Sequence, residues 1–222
     1  MKIIGHRGAR GLAPENTIAG LKKALEHNVD EVEFDLRVSK DGVVLLHHDR
    51  DLTDPNGKRW RIAKHDYQEL LEHKADLATF SQALDTLKSS VPMYIEIKPG
   101  EPIAPITDII NGCLQQGWRK DDFRLASFSL KTLEALHSAL PDISLIVNEN
   151  WSGVRAGHRA RKLGAMRVSM NRRWLWSGFI RAAGRGNHQL TAFTVNDPRQ
   201  ASRWERAGLY GVVTDYPDRF EK

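Results

Sequence analysis

The feature that most constrains this chain is a regular alternation of short apolar strand segments with amphipathic helical segments. Apolar runs and alternation predict strands at residues 3–4, 32–36, 91–98, 123–128, 144–148, 166–170, 190–195 and 211–214. Helical periodicity lies between them, for example at residues 131–140, 154–163, 174–183 and 198–207. About eight strands in alternation with helices favour a (β/α)8 TIM barrel, with a β-hairpin and loop insertion after the second strand. A doubly wound open sheet is the alternative, but no Gly-x-Gly-x-x-Gly motif follows the first strand.

Length and composition limit the class of protein further. A chain of 222 residues is expected to form one domain, residues 1–222, with the insertion at about residues 41–79. Cys113 is the single cysteine, which excludes an internal disulfide framework and fits a reducing compartment. No apolar run is long enough for a signal peptide or a bilayer-spanning helix. We therefore expect a cytoplasmic protein without stable membrane insertion.

Residues 31–49 carry carboxylates at positions that the alternation assigns to a strand. Because strand side chains point alternately to opposite faces, Glu33 and Asp35 share one face, and the apolar residues share the other. Asp41-Gly42 follows, and this dipeptide is a strong hairpin signal between two apolar runs. The chain is therefore expected to turn there and to return antiparallel to the first run.

The length of this turn decides which histidine faces the two carboxylates. A two-residue turn at Asp41-Gly42 pairs Asp35 with His48, and His47 then lies on the opposite face. A three-residue loop shifts the register by one position and favours His47. We expect the two-residue turn and His48. A solvated polar face on an edge hairpin is the alternative without chemistry.

Polar side chains also lie at the ends of neighbouring predicted strands. His6 and Arg7 follow the first strand between two glycines, and alternation places Glu96 and Lys98 on one face of the third. Active sites of TIM barrels lie at the carboxyl ends of the strands. We therefore expect one mouth to gather the polar residues of three strands and the hairpin: His6, Arg7, Glu33, Asp35, His48, Glu96 and Lys98.

Three carboxylates at one mouth require a compensating charge. Unit charges about 4 Å apart repel by about 4 kcal/mol at an effective dielectric constant of 20, and Lys98 offers only one positive charge. A divalent cation would compensate the three carboxylates better than Lys98 alone, and carboxylate oxygens suit magnesium or calcium rather than zinc. His6 and His48 are either further ligands or an acid–base pair, and Arg7 and Lys98 can bind an anion. A structural Glu96–Lys98 ion pair is the alternative without function. Together the residue types indicate phosphoryl chemistry.

The order and spacing of several short motifs resemble the glycerophosphodiester phosphodiesterase family. The match is dense over residues 5–52 and resumes in four later segments. The motifs are His6-Arg7-Gly8, Pro14-Glu15-Asn16-Thr17, Glu33-Phe34-Asp35, Lys40-Asp41-Gly42, His48-Asp49, Ile95-Glu96-Ile97-Lys98, Ser127-Phe128, Thr194-Val195-Asn196-Asp197 and Thr214-Asp215-Tyr216-Pro217. Together they are far more specific than any single one.

The resemblance implies a fold, a reaction and a role for each matching residue. It implies a catalytic TIM barrel that hydrolyses a glycerophosphodiester to an alcohol and sn-glycerol 3-phosphate. One divalent cation, Mg²⁺ or Ca²⁺, would be held by Glu33, Asp35 and Glu96. The other implied roles are acid–base catalysis by His6 and His48, phosphate binding by Arg7 and Lys98, and an aromatic substrate wall at Phe193, where the family usually carries tryptophan.

Other functions stay open at this stage. The formal net charge is +5, with basic residues crowded between positions 155 and 185. This pattern favours solvated helix faces over a site for an anionic partner. Lysophospholipase D-like action on lysophospholipids and a non-catalytic anion-binding barrel are the alternatives. We expect a small-molecule substrate rather than nucleic acid. The predicted acid–base pair argues against a non-catalytic nucleic-acid binder, because binding alone needs no such pair. Trp174 and Trp176 could grip a lipid head group, but their spacing of two predicts burial of at least one.

Overall fold

The computed structural model of the protein describes residues 1–88, 90–186 and 188–220. Within these residues the chain forms eleven strands and eight α-helices. Eight parallel strands form the main sheet: β1 (Lys2–Gly5), β2 (Glu31–Val38), β6 (Met93–Ile97), β7 (Phe123–Ser127), β8 (Ser144–Glu149), β9 (Arg167–Asn171), β10 (Gln189–Phe193) and β11 (Gly211–Thr214). Because β1 pairs with both β11 and β2, the sheet closes on itself. The predicted (β/α)8 barrel is confirmed.

Helices cover the outside of the barrel. They are α1 (Ile18–Glu26), α3 (Phe80–Leu87), α4 (Ala104–Gln115), α5 (Leu130–Ala139), α6 (Gly153–Leu163), α7 (Ser177–Arg185) and α8 (Pro198–Glu205), while α2 (Tyr67–His73) packs within the insertion after β2. Several begin at a capping side chain that accepts a backbone N–H, such as Thr17 before α1 and Ser152 before α6. The main hydrophobic core lies between these helices and the outer faces of the strands. By the criteria of length and hydropathy, no helix of the described residues could cross a membrane.

The helix predicted from residue 174 begins later in the structure. A short 3₁₀ turn, Arg172–Trp174, follows β9, and the side chain of Asn171 accepts a hydrogen bond from the N–H of Arg173. The backbone is then extended at Leu175 and Trp176 before α7 starts. Local side-chain bonding after the strand therefore delays the helix and leaves a loop at this end of the barrel.

The interior of the barrel is only partly apolar. A small cluster of Ile4, Tyr94, Ala126, Ile146 and Val213 fills its middle. Towards the amino ends of the strands, Arg167 reaches across to Glu31 in a buried two-bond ion pair, with N–O distances of 2.5 and 2.9 Å. The opposite end, where the strands finish, carries most of the remaining buried charge. That end is where the candidate site lies.

The insertion after β2 contains a hairpin and a second small core. The strand β3 (Val44–Leu46) runs antiparallel to β2, and β4 (Asp51–Thr53) pairs with β5 (Arg59–Arg61). Apolar residues of this segment form a satellite cluster beneath it: Leu45, Leu52, Ile62, Leu70 and Leu77. The insertion thus has its own packing and leads the chain from β2 to α3.

The turn between β2 and β3 is longer than the sequence predicted. Ser39 donates its N–H to the carbonyl of Val43 at 3.0 Å. The loop between them therefore has three residues, 40–42, rather than the two that were predicted. Val38 then pairs with Val44, and Asp35 accepts the N–H of His47 at 3.1 Å. The predicted pairing of Asp35 with His48 is wrong by one position. The cause is Ser39, whose hydroxyl bonds both to Asp41 and to the backbone of Val43 and closes a wider loop.

Candidate active site

Adjacent strands bring three carboxylates together at the carboxyl end of the barrel. Asp35 on β2 lies beside Glu96 on β6 in the parallel register, and Glu33 precedes Asp35 by two residues on the same face. All three side chains are buried, and one oxygen of each lies within 4.8 Å of the others. Magnesium and calcium bind oxygen at about 2.0–2.6 Å, so this spacing fits one shared ion.

Two cations lie against the carboxylates. The ammonium of Lys98 is 2.6 Å from Asp35 and forms a second close ion pair with Glu96. The guanidinium Nε of Arg7 lies 3.3 Å from Asp35 without the geometry of a hydrogen bond, while the backbone N–H of Arg7 donates to Glu33 at 2.8 Å. When all three carboxyl groups are ionised, three negative charges face two positive ones among the described residues of this buried site. A bound divalent cation would supply the missing positive charge.

The carboxyl groups respond to this excess in opposite ways. Burial and the neighbouring carboxylates raise the pKa of Glu33 well above its ordinary range. Burial and Asp35 likewise raise the pKa of Glu96 to about 7, although Lys98 opposes the rise. Burial also acts to raise the pKa of Asp35, but the charges of Lys98 and Arg7 outweigh it and hold that pKa below its usual range. Two of the three groups thus hold protons more tightly than free carboxyls do.

His6 is held by a chain of hydrogen bonds at the end of β1. Its Nδ1 lies 2.6 Å from the carboxylate of Asp215, and Asn196 donates to the other oxygen of that carboxylate at 2.8 Å. Burial acts to raise the pKa of Asp215, but the bonds from His6 and Asn196 lower it overall. Because an ionised carboxylate only accepts hydrogen bonds, Nδ1 must carry the proton. The other ring nitrogen, Nε2, is then available as a proton acceptor.

His48 lines the site even though the register differs from the prediction. The strand β3 ends at Leu46, and the chain bends so that the ring of His48 forms part of the cavity wall. Its Nδ1 is 2.7 Å from Asp49, and burial lowers its pKa despite the opposing charge of Asp35. The ring of His47 instead bonds to the backbone carbonyl of Asp51 at 3.3 Å.

These groups surround one open cavity of about 220 Å³. His6, Arg7, Glu33, Asp35, His48 and Glu96 line it, as does the predicted aromatic residue Phe193. Phe193 meets Phe128 edge to face, with ring centroids 5.8 Å apart, so one wall is apolar. A larger cavity, about 350 Å³, lies at the amino ends of β7, β8 and β9, away from the carboxylates. The smaller cavity is lined by the two predicted histidines and by the three carboxylates that could hold a metal ion.

Comparison with known proteins assigns the chain to a family. The sequence profile of the glycerophosphoryl diester phosphodiesterase family matches residues 6–219. The chain belongs to this family. Among curated relatives, a glycerophosphodiester phosphodiesterase of Bacillus altitudinis is 25% identical over 237 residues, covering 100% of this chain and 97% of that protein. Another from Bacillus subtilis strain 168 is 26% identical and covers 99% of this chain and 85% of that protein.

Solved structures agree with the family assignment. A phosphodiesterase of Oleispira antarctica, in complex with the product sn-glycerol-3-phosphate, superposes with a TM-score of 0.86 at 25% identity. The match covers 99% of this chain and 94% of that one. A glycerophosphodiester phosphodiesterase of Thermotoga maritima shares the fold, with a TM-score of 0.80 at 23% identity over 99% and 96% of the two chains. The chain is therefore a phosphodiesterase on a TIM barrel.

In this phosphodiesterase, several residues that sequence reasoning gave no role hold the candidate ligands in place. Asn16 donates to the side chain of Asp35 at 2.8 Å and accepts the N–H of the same residue at 3.1 Å. Asn148 donates to Glu96 at 3.1 Å and accepts the hydroxyl of Tyr94 at 2.6 Å. Asp215 orients His6 in the same way. Each was visible only as a polar residue at the end of a strand or within a quoted motif.

The backbone at the end of β1 is also specialised. Arg7 and Gly8 both have positive φ, 50° and 84°, and the N–H of Arg7 donates to Glu33. A β-carbon at Gly8 would collide with the backbone of Gly20 at 2.5 Å, so only glycine fits between β1 and α1. Glu15 then holds the Arg7 guanidinium at 2.7 Å. Strained backbone of this kind is typical of functional sites.

Proposed function

We propose that the cavity hydrolyses glycerophosphodiesters to an alcohol and sn-glycerol 3-phosphate, with one divalent cation, Mg²⁺ or Ca²⁺, held by Glu33, Asp35 and Glu96. The observation that carries this proposal is the buried trio itself, since one oxygen of each residue lies within 4.8 Å of the others and, in the described part of the chain, the ion pairs of the trio are with Lys98 and Arg7. Such a group is costly in a metal-free protein and useful in a metal site. When bound, the ion would act as a Lewis acid towards a phosphoryl oxygen.

His6 and His48 both line the cavity, and we assign them the two proton transfers of the reaction. His6 has Nε2 free as an acceptor, and ionised Asp215 stabilises the imidazolium that forms when it takes a proton. We assign it the removal of the proton from the attacking hydroxyl. His48 would enter the step in its imidazolium form, which the charges of Asp35 and Asp49 favour against burial, and would protonate the departing alkoxide as its bond to phosphorus breaks. One oxygen–phosphorus bond forms and one breaks, and the protons balance.

The phosphate itself would be held by Arg7 and Lys98. The guanidinium of Arg7 lines the cavity and is fixed by Glu15, which leaves part of its donor set for a phosphate oxygen. Lys98 is buried between Asp35 and Glu96. A cation held by those carboxylates would compete with the Lys98 ammonium for the same oxygens. The displaced ammonium would then be available to an anionic substrate. Phe193 and Phe128 would pack against the glycerol carbons.

The direct test is product release. The purified protein is incubated with glycerophosphocholine or glycerophosphoethanolamine, and sn-glycerol 3-phosphate is measured before and after removal of metal with EDTA. We expect release of sn-glycerol 3-phosphate, its loss on chelation, and its return with added Mg²⁺ or Ca²⁺. Undiminished hydrolysis by the chelated protein would contradict the metal-dependent mechanism, and hydrolysis only of lysophospholipids would change the substrate assignment.

A further inference from the structure

Four apolar side chains project from the same end of the barrel as the active site. Val154 is 84% exposed, Trp151 67%, Trp176 62% and Trp174 46%. The prediction that at least one of Trp174 and Trp176 would be buried is therefore wrong, because the loop before α7 is extended rather than helical. We call these four residues the tryptophan rim.

The tryptophan rim is continuous rather than scattered. The rings of Trp151 and Trp174 lie 5.9 Å apart, and Trp176 lies 5.5 Å from Phe179 on α7. Gly153, two residues after Trp151, lies directly against the Phe179 ring, so the segment that carries Trp151 runs beside the second pair. A contiguous exposed apolar surface of this kind usually marks an interaction site, whereas single exposed residues do not.

The surface around the rim is strongly basic. The sequence contains no aspartate or glutamate from position 150 to 196 but contains nine basic residues in that span, of which Arg167 is buried at the other end of the barrel and Lys162 pairs with Glu134. Arg172 and Arg173 lie exposed directly beside the rim, and the ion pairs within residues 1–88, 90–186 and 188–220 leave both without a carboxylate partner. The nearest acid in sequence, Glu149, is buried and held by Arg155 and Arg159. The rim is thus complementary to a negatively charged surface.

The rim also lies close to the mouth of the cavity. Asn148 on β8 lines the cavity, and Trp151 follows it by three residues, which span at most about 11 Å. Arg172 follows directly after the end of β9, which is the neighbour of β8 in the barrel. A surface that covered the rim would therefore lie beside the opening of the active site.

We propose that the tryptophan rim and its arginines dock the protein on an anionic phospholipid surface, with the cavity mouth beside the membrane. Tryptophan rings are favoured at the membrane–water interface, and arginines there bind lipid phosphates. Nucleic acid also has phosphates and stacks on aromatic rings, but Val154 offers it neither stacking nor a hydrogen bond. An aliphatic side chain exposed to this extent gains most by entering lipid. This docking adds to the proposed hydrolysis and does not depend on it.

The test is sedimentation with vesicles of phosphatidylcholine, with and without phosphatidylglycerol. We expect the wild-type protein to bind only the vesicles with phosphatidylglycerol and to dissociate as salt is raised. Trp151→Ala/Trp176→Ala should weaken binding by about tenfold or more. Arg172→Glu/Arg173→Glu should weaken it by at least about fivefold for each arginine. Circular dichroism confirms that these surface variants fold, and neither should change turnover of a soluble substrate.

Two matched variants control for unspecific effects. Met166→Ala removes an exposed apolar residue at the amino end of β9, and Arg203→Glu reverses an exposed charge on α8. Both should bind vesicles like the wild type. The proposal is overturned if anionic vesicles do not bind, if the control variants lose binding equally, or if only the arginines matter. Preferential binding of duplex DNA that the tryptophan variant also loses would assign the rim to nucleic acid instead.

Discussion

Replacing Glu96 by glutamine tests whether the Glu96 carboxylate destabilises the metal-free protein and whether it is needed for stabilisation by the cation. The pKa of this group is about 7 in the folded protein against an ordinary value of 4.5. The folded state therefore holds its proton more tightly than the unfolded state, and metal-free stability falls as pH rises between these values. At 1.36 kcal/mol for each pH unit, the charged form costs about 3 kcal/mol above pH 7. Glutamine has the same shape as the protonated side chain and avoids this cost.

The assay is urea unfolding followed by circular dichroism, at pH 5 and pH 8, with EDTA or with a saturating divalent cation. In EDTA at pH 8, Glu96→Gln should be more stable than the wild type by up to about 3 kcal/mol, and at pH 5 by less than about 1 kcal/mol. A cation at a hundred times its dissociation constant should stabilise the wild type by about 2.7 kcal/mol. The variant should gain little, so the difference between the proteins should nearly vanish.

A matched control lies two strands away at the same end of the barrel. Glu149 on β8 is also buried, but Arg155 and Arg159 pair with it. Burial acts to raise its pKa, and the bonds from Arg155 and Trp151 lower it overall. Glu149→Gln should therefore destabilise the protein at pH 8, with or without a cation. The reasoning is refuted if Glu96→Gln is the less stable protein in EDTA at pH 8, or if it gains as much from the cation as the wild type.

Three further predictions concern catalysis and metal binding. His6→Asn and His48→Asn should each lower kcat by about 10²–10⁴-fold while keeping the stabilisation by metal, measured by product release and thermal unfolding. Asp215→Asn should lower kcat by about 10²-fold or more with little change in KM, because the amide can hold His6 in the wrong tautomer. Cation binding should release protons near pH 6.5 and weaken as pH falls further, because the raised pKa of Glu96 keeps it protonated there, measured by calorimetry in two buffers of different ionisation enthalpy.

Each of these has a built-in comparison. His47→Asn changes the neighbouring ring, which bonds to the Asp51 carbonyl outside the cavity, and should leave turnover largely intact. An equal loss of turnover in His47→Asn and His48→Asn would contradict the assignment of the acid–base pair. A rise in KM without a fall in kcat for Asp215→Asn would mean that Asp215 binds substrate rather than orients His6. Binding enthalpies that are equal in both buffers would show that the site is already deprotonated.

The architecture of the barrel could be predicted from the sequence because its signal is repeated. Each strand and helix is encoded by local periodicity, and an error of a few residues in one element, such as the late start of α7, leaves the alternation unchanged. Closure by β1 and β11 could be inferred from the strand count alone. The extent of the single domain, residues 1–222, and the catalytic roles of the site residues stay predictions.

The candidate site was predictable where the residues lie at the ends of strands and uncertain where loops place them. Glu33, Asp35 and Glu96 converge because strand alternation and parallel register fix their direction. His48 shows the opposite case, since its predicted register was wrong and a bend after β3 nevertheless brings it to the cavity. A hydroxyl as small as that of Ser39 sets this loop, and periodicity contains no information about it.

The residues that hold the candidate ligands and His6 in place could not be predicted from the sequence, for another reason. Asn16, Asn148 and Asp215 act through hydrogen bonds to residues 19, 52 and 209 positions away in sequence. Nothing in a local pattern states which distant partner a polar side chain will meet. Only the closed barrel, which brings the ends of all eight strands to one rim, makes these partners neighbours.

The most direct measurement of the central claim is anomalous diffraction from crystals of the protein soaked with Mn²⁺, which binds the same hard oxygen ligands as magnesium. The account predicts one strong anomalous peak within about 2.6 Å of a carboxylate oxygen from each of Glu33, Asp35 and Glu96. It also predicts that the peak disappears in crystals of Glu96→Gln. No peak among these oxygens, or a peak that survives this substitution unchanged, would contradict it.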